Sequence, residues 1–149
     1  GCQLGTRFVC TTECIAHPEF KKAFIKAQAR DAVISPQLDA RFPVIPVRSI
    51  ANQATKEFPG YQREMIDKVD REEMDLKEAQ LMIERFWAGS LRRAVIEGDV
   101  ERGSIMAGQS VGLVTKEQTT NEVIDELLTQ AKQSLVSRYF VEHREERRC

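Results

Sequence analysis

The chain has 149 residues and a mass of 17.0 kDa, the length of a single domain. Its 22 basic and 23 acidic side chains nearly cancel, which argues against a nucleic-acid surface. No apolar run approaches the roughly 20 residues that span a bilayer. Of the four cysteines, Cys2, Cys10 and Cys14 cluster near the start, unlike a disulfide framework. We therefore expect a cytoplasmic protein with reduced thiols and with neither a nucleic-acid nor a membrane partner.

The first third of the chain carries short signals for a strand, a helix and a loop. A β-prone run over residues 4–12 predicts one short strand. His17 followed by Pro18 predicts a helix start, because proline suits the first helical position. Prolines and β-branched residues over 32–48 exclude a helix and predict a surface loop or an edge hairpin.

Two short helices are predicted in the middle of the chain. Ser49 can cap the first, which we expect to end near Phe58, where Pro59-Gly60 forces a turn or a kink. A second, polar and exposed helix is predicted over residues 62–73.

A longer amphipathic helix is predicted next. Asp75 and Glu78 fit a capping box, and apolar residues then recur at steps of three and four. Gly98 suits the helix end, and Gly89 marks a break within it.

The last helix is predicted to start at a second capping box, formed by Thr119 and Glu122. Its apolar face consists of Val123, Ile124, Leu127, Leu128, Ala131 and Leu135. A lone predicted strand has nothing to pair with, so we expect this chain to be part of a longer protein.

The opening segment, residues 1–6, is a candidate phosphate site. Glycine after a strand lets a phosphate approach free backbone N–H groups, and the Thr6 hydroxyl adds a donor. The end of a barrel strand is a usual place for such a site. An ordinary tight turn would have the same composition, and spacing alone favours that interpretation.

A second candidate segment is residues 103–113, rich in small residues. Ser104, Gly108 and Gly112 lie four apart and predict a helix with a smooth face. Such a face allows close approach by another backbone or a flat ring, and spacing alone favours tight helix packing. Gln109 is the polar side chain best placed to point into a pocket.

Cys10, Cys14 and His17 are of types that bind zinc, with Cys2 as a further ligand. Structural zinc sites, however, usually pair cysteines in two separated knuckles. We therefore interpret His17 as a helix N-cap and the cysteines as small apolar residues, and we predict no metal site. Spacing alone identifies no catalytic residue.

Two segments resemble the flavin-dependent nitronate monooxygenase and enoyl-acyl-carrier-protein reductase II family. The first lies in residues 1–18, as GCQLGTRF and then TECxAHP. The second lies in residues 98–114, as GDVxxGSIMAGQxxGLV. The likeness runs in order from residue 1 to about residue 130.

The resemblance implies an α/β fold, namely the C-terminal part of an FMN-binding TIM (β/α)8 barrel, with this chain mostly α-helical. Residues 1–30 would hold the last barrel strand, the phosphate-binding turn and the following helix. Residues 31–98 would form an inserted hairpin and helical subdomain. Residues 99–149 would form a C-terminal helical region with a solvated tail.

The resemblance also assigns residues to the site. Gln3, Leu4, Gly5 and Thr6 are implied to hold the FMN phosphate, and Gln109 is implied to lie near the substrate pocket. The family's catalytic histidine lies in the seven earlier strands, so no catalytic residue is assigned here.

The function implied by the resemblance is that of an FMN-dependent oxidoreductase. We favour an enoyl-acyl-carrier-protein reductase of fatty acid biosynthesis, in which NADH or NADPH reduces FMN and FMN reduces an enoyl double bond. The substrate would be bound to acyl carrier protein or be a small molecule, and a homodimer is left open. A nitronate monooxygenase is one alternative, and a non-catalytic helical interaction module is an alternative of another class. We expect the isolated fragment to bind FMN poorly and to be inactive, since one-eighth of a barrel cannot close.

Overall fold

The computed structural model of the chain describes residues 4–145, with side chains described over residues 4–138. In this part, helices predominate and one antiparallel pair of strands is present. The elements in chain order are α1 (Gly5–Phe8), α2 (Pro18–Lys26), a first 3₁₀ helix (Ala29–Asp31), β1 (Ala32–Ile34), β2 (Arg48–Ile50), α3 (Gln53–Asp70), α4 (Leu76–Phe86), α5 (Ser90–Val95), a second 3₁₀ helix (Gln109–Leu113) and α6 (Thr120–Glu145). None of the described helices combines the length and apolarity needed to cross a membrane.

The predicted strand over residues 4–12 is wrong. Gly5–Phe8 instead forms the short helix α1, and Thr11 makes an isolated parallel bridge to Gln118. The β-prone residues serve packing rather than a sheet, since Cys10 is buried in the core. A barrel strand in this segment is therefore not found among the described residues.

The start of α2 is as predicted. Pro18 occupies its first turn, and the His17 Nδ1 atom accepts a hydrogen bond from the Glu19 N–H at 3.2 Å. Phe20 and Phe24 on its apolar face are buried. His17 is thus a helix cap, as the sequence indicates.

Residues 32–48 contain the predicted hairpin. β1 and β2 pair antiparallel, with Val33 opposite Ser49. Ser49 also makes an antiparallel bridge to Met106, so the segment around residue 106 lies against β2.

The middle of the chain differs from the prediction. Asn52, not Ser49, caps α3, accepting from the Thr55 N–H at 3.0 Å. The helix continues through Pro59 to Asp70, so the two predicted helices are one. Packing outweighs the proline here, because buried residues on both sides of Pro59 face one core.

The next helices agree better with the sequence. Asp75 caps α4, its carboxylate accepting from the Lys77 N–H at 2.9 Å. Gly89, with φ of 71°, separates α4 from α5. Gly98 follows α5 with φ of 76°, the left-handed conformation that suits glycine after a helix.

The predicted helix over residues 103–113 is wrong for its first half. Gly103 is a bend, and residues 105–107 then pair with β2. The Ile50 N–H donates to Ile105 O at 2.9 Å and the Ala107 N–H donates to Arg48 O at 3.1 Å, and a 3₁₀ helix begins only at Gln109. The close approach expected of the small residues is found: a Cβ on Gly112 would lie 2.9 Å from the Ala29 nitrogen. Small residues here accommodate a neighbouring backbone rather than a helix face.

The capping box of α6 is confirmed. Thr119 N–H donates to Glu122 Oε2 at 2.7 Å, and Glu122 N–H donates to Thr119 Oγ1 at 3.2 Å. Of the predicted apolar face, Val123 is buried, whereas Ile124, Leu128 and Leu135 are exposed. The face packs against the rest of the described chain only near its start.

Buried apolar residues form two clusters. The motif core consists of Cys10, Ala16, Phe20, Phe24, Ala27, Ala32, Ile50, Ala94, Ile105, Ala107, Val111 and Val114. The helical core consists of Phe42, Phe58, Met65, Ala79 and Ile83. Three members of the motif core, Ile105, Ala107 and Val111, belong to the predicted site segment 103–113.

Candidate functional site: a backbone edge and an apolar cavity

The opening segment presents free backbone donors. Gln3 lies outside the described residues, while Leu4 precedes α1 and Gly5 and Thr6 form its first turn. First-turn N–H groups have no intrahelical acceptor, and no side chain among residues 4–138 caps them. A Cβ on Gly5 would meet no atom within 4 Å, so the backbone can be approached closely at that point.

Thr6 joins the two predicted segments. Its Oγ1 accepts a hydrogen bond from the Gly108 N–H at 2.9 Å, across 102 positions of sequence. A Cβ on Gly108 would lie 3.4 Å from that oxygen, in van der Waals contact with it. The hydroxyl keeps its own proton for donation, because it accepts rather than donates in this bond.

Arg7 anchors α1 on its other side. Its guanidinium donates to Glu126 at 2.7 Å, to Gln118 at 3.0 Å and to the Leu113 carbonyl at 3.3 Å. A hydrogen bond from Gln118, together with the Arg7 charge, lowers the pKa of Glu126. Arg7 is therefore engaged in holding α1 against the C-terminal segments.

Cys10 and His17, two of the residues whose types could bind zinc, have other partners. Burial raises the pKa of the Cys10 thiol to about 11, so the thiol is neutral near pH 7. Its Sγ donates to Lys21 O at 3.5 Å, and His17 caps α2. Within residues 4–138, no three His, Cys, Asp or Glu side chains converge as metal ligands do.

An apolar cavity of about 310 Å³ lies between the β1–β2 hairpin, the helices α3 to α5 and the extended segment before Gly108. Its walls are mainly aliphatic and aromatic, with Phe58 and Trp87 on the helical side. Glu84 is the charged residue in its lining. The volume is at the lower end of the range for small-molecule sites.

Gln109 does not take part in this cavity lining. It is exposed at the first position of the second 3₁₀ helix, while Ser104 and Met106 of the same segment do line the cavity. Sequence reasoning missed Met106 and the serine at position 49 as cavity residues. The alternation of an extended strand could have identified them, since residues 104 and 106 share a face.

The residues present fit an FMN phosphate. An anion can accept hydrogen bonds from the first-turn amides of α1 and from the Thr6 hydroxyl. The absence of a side chain at Gly5 lets the anion approach these donors closely. The redox chemistry of FMN would come from the cofactor itself.

The sequence model described as nitronate monooxygenase matches residues 1–130, and the chain belongs to this oxidoreductase family. The match confirms the family resemblance of the two motifs. Members of the family are flavin-dependent. No curated protein sequence matches the chain significantly.

Solved structures of FabK from Thermotoga maritima are similar to the chain. One has a TM-score of 0.69 and 32% identity, covering 91% of this chain and 38% of that chain. A point mutant of the same protein has a TM-score of 0.65 and 31% identity, covering 91% and 35%. The chain thus spans little more than a third of the length of these structures.

Proposed function

We propose that this chain contributes to an FMN-dependent enoyl-acyl-carrier-protein reductase, with Leu4, Gly5 and Thr6, together with Gln3, holding the FMN phosphate. The observation that supports the proposal most strongly is the Thr6–Gly108 hydrogen bond, which brings the two family motifs into contact. The likeness to FabK, an enoyl-acyl-carrier-protein reductase II, supports the reductase branch.

Each residue of the proposed phosphate site has a distinct role in binding. Gly5 leaves the backbone open, and the first-turn N–H groups of α1 donate to phosphate oxygens. The Thr6 hydroxyl accepts a hydrogen bond from the Gly108 N–H and donates a hydrogen bond to the phosphate. When bound, FMN supplies the electron transfer between NADH or NADPH and an enoyl double bond. Gln109 is exposed beside Gly108 and lies outside the cavity lining, and it is proposed to contact the part of the substrate outside the cavity. A cytoplasmic location suits this reaction.

The apolar cavity favours an acyl substrate over a small nitronate. Its walls offer little to a charged nitronate, since the charged lining residue Glu84 is itself an anion. A nitronate monooxygenase is the second candidate, because the matching family model carries that description.

The phosphate site is tested with Thr6→Ala and Thr6→Ser in the protein expressed from its complete reading frame. Loss of the hydroxyl in Thr6→Ala is expected to weaken FMN binding about tenfold, measured by flavin fluorescence. Thr6→Ser keeps the hydroxyl and should bind within about twofold of the parent. Unchanged FMN affinity in Thr6→Ala would show that the phosphate lies elsewhere.

The two reactions are separated by activity. We expect NADH or NADPH oxidation that depends on a crotonyl thioester, and no comparable oxygen uptake with an alkyl nitronate. The opposite pattern would establish the monooxygenase. Flavin absorbance that co-purifies with the isolated 149-residue chain would contradict our expectation that this chain alone binds FMN poorly.

A further inference from the structure

Two buried serine hydroxyls face the apolar cavity without a protein partner. Ser49 and Ser104 line the cavity, and each is about 5% exposed. Among residues 4–138, neither hydroxyl makes a hydrogen bond. A buried hydroxyl without a hydrogen-bond partner is energetically unfavourable, so a polar ligand atom in the cavity would supply the missing hydrogen bonds.

The other hydroxyls of the lining provide an internal comparison. Ser35 accepts from the Val47 N–H at 2.9 Å, and Ser90 donates to the Trp87 carbonyl at 2.7 Å. Thr55 donates to the Asn52 carbonyl at 2.8 Å. These hydroxyls are used by the fold itself, which sets Ser49 and Ser104 apart from them.

Local backbone geometry directs Ser49 and Ser104 to the same side. Ser49 lies opposite Met106 in an antiparallel bridge, and opposite residues in such a pair share a face. Ser104 lies two residues before Met106, and both residues line the cavity, as alternate residues beside a strand do. The two hydroxyls therefore belong to the same wall of the cavity as Met106.

The other lining residues and the volume of the cavity indicate which ligand it can bind. The helical wall is provided by Phe58, Ile83, Trp87 and Leu91, which suits an aliphatic chain. The lining contains Glu84 and no cationic side chain, which disfavours a carboxylate. At about 30 Å³ per atom of the size of water, a cavity of about 310 Å³ holds roughly ten non-hydrogen atoms.

We propose that this cavity binds the acyl chain of a neutral, medium-chain acyl thioester, with Ser49 and Ser104 donating hydrogen bonds to its carbonyl oxygen. The inference rests on the proposed reductase function, because that function supplies a thioester substrate. It adds the chain length, the cavity and the two serines.

The test is direct binding of S-octanoyl-N-acetylcysteamine, a neutral thioester, to the protein expressed from its complete reading frame. Trp87 lines the cavity, so its fluorescence should change on binding, and Trp87→Phe identifies its share of the signal. We expect octanoyl to bind at least tenfold more tightly than butanoyl, and the octanoate anion to bind at least tenfold more weakly than the thioester. Octanoate binding as tightly as the thioester would overturn the proposed ligand.

The serines are tested with Ser49→Ala, Ser104→Ala and the matched control Ser90→Ala. Loss of one donor should weaken thioester binding about threefold to tenfold without lowering the melting temperature. Ser90→Ala removes a buried hydroxyl from the same cavity, but one that the fold uses, so thioester affinity should stay within twofold. Equal effects of all three variants would contradict the assignment of the carbonyl to Ser49 and Ser104.

Failure of this inference can be distinguished from failure of the proposed function. If octanoyl does not bind in the cavity while crotonyl thioester is still reduced, the reductase proposal stands and the cavity inference fails. If octanoyl binds as described but no enoyl thioester is reduced, the cavity is an acyl site and the reductase proposal fails.

Discussion

The motif core and the helical core are assembled over different distances along the sequence. The motif core joins residues from α2, β1, β2, α5, the segment that pairs with β2 and the second 3₁₀ helix. The helical core is built mainly from the neighbouring helices α3 and α4, with Phe42 added from the hairpin loop. One core therefore depends on long-range contacts and the other largely on local helix pairing.

The two cores also use different means of packing. At the motif core, backbones approach closely: a Cβ on Gly103 would lie 2.7 Å from the nitrogen of Ala94, a member of that core. In the helical core, aromatic rings pack together, with Phe58 centred 5.1 Å from both Phe86 and Trp87. The motif segments therefore require small residues and a defined backbone conformation, whereas the helical core is stabilised mainly by the packing of large side chains.

The largest expected effect comes from Phe24, which is fully buried in the motif core. Phe24→Ala should lower the free energy of unfolding by about 3–5 kcal/mol, because it leaves a cavity that the surroundings fill only in part. Phe24→Leu, the control, should cost less than about 1.5 kcal/mol if the leucine repacks. Denaturant unfolding followed by circular dichroism measures both. A loss below about 1 kcal/mol in Phe24→Ala would mean that the motif core does not hold the fold together.

Apart from the cap expected at Ser49, the helix caps were predicted well because their causes lie within a few residues. The caps at His17, Asp75 and Thr119 each involve a side chain and a backbone group two or three positions away. The same is true of Gly89 and its left-handed backbone. Such features are independent of the rest of the fold, so the sequence alone reveals them.

Predictions that depended on tertiary packing failed. Pro59 signals a helix break, but buried Phe58, Gln62 and Met65 hold α3 continuous. Gln62, predicted to be exposed, is fully buried, and its Nε2 donates to the Pro36 carbonyl at 2.9 Å. A partner 26 positions away is not visible in local spacing.

In the candidate site, too, local features could be predicted from the sequence, whereas tertiary contacts could not. Both site segments could be recognised from their small residues and their family resemblance. The Thr6–Gly108 contact could not, because it spans 102 positions. The cavity serines were missed for a related reason: their role depends on β2 pairing with the segment around Met106.

The second prediction concerns Asn52, which links the two cores. Its side chain caps α3, and its Nδ2 donates to the carbonyls of Val100 and Gly103 at 2.8 and 2.7 Å. Asn52→Ala should cost roughly 2–4 kcal/mol, combining the lost cap with two unpaired carbonyls. Chemical unfolding monitored by circular dichroism provides the measurement.

Asn52→Asp separates the two contributions of this residue. Aspartate keeps the cap but cannot donate to the two carbonyls, so most of the destabilisation should remain. A variant as stable as the parent would show that the link to Val100 and Gly103 is dispensable.

The third prediction compares two glycines. Gly103→Ala should destabilise the fold by about 1–3 kcal/mol, since the new Cβ would lie 2.6 Å from Ala94 Cβ and 2.7 Å from Ala94 N. Gly60→Ala should instead stabilise by about 0.5–1 kcal/mol, because Gly60 is within α3 and its Cβ would meet no atom within 4 Å. Thermal unfolding of both variants gives the signs. If both changes had the same sign, close backbone approach would not be what distinguishes the two cores.

The smallest effect is expected at α6, which is attached through carboxylates rather than through either core. The Thr120 N–H donates to Glu13 and lowers its pKa, and the Gln118 amide does the same for Glu126. A lowered folded-state pKa stabilises above the ordinary glutamate pKa of about 4.3, and this contribution is lost as the pH falls through the lowered value. We expect amide protection in α6 to fall between about pH 5 and pH 3 while protection in α3 persists. Glu126→Gln, which cannot titrate, should flatten part of this pH dependence in hydrogen-exchange protection factors. Equal losses of protection in α3 and α6 would instead mean that acid acts on the whole fold and not on the attachment of its last helix.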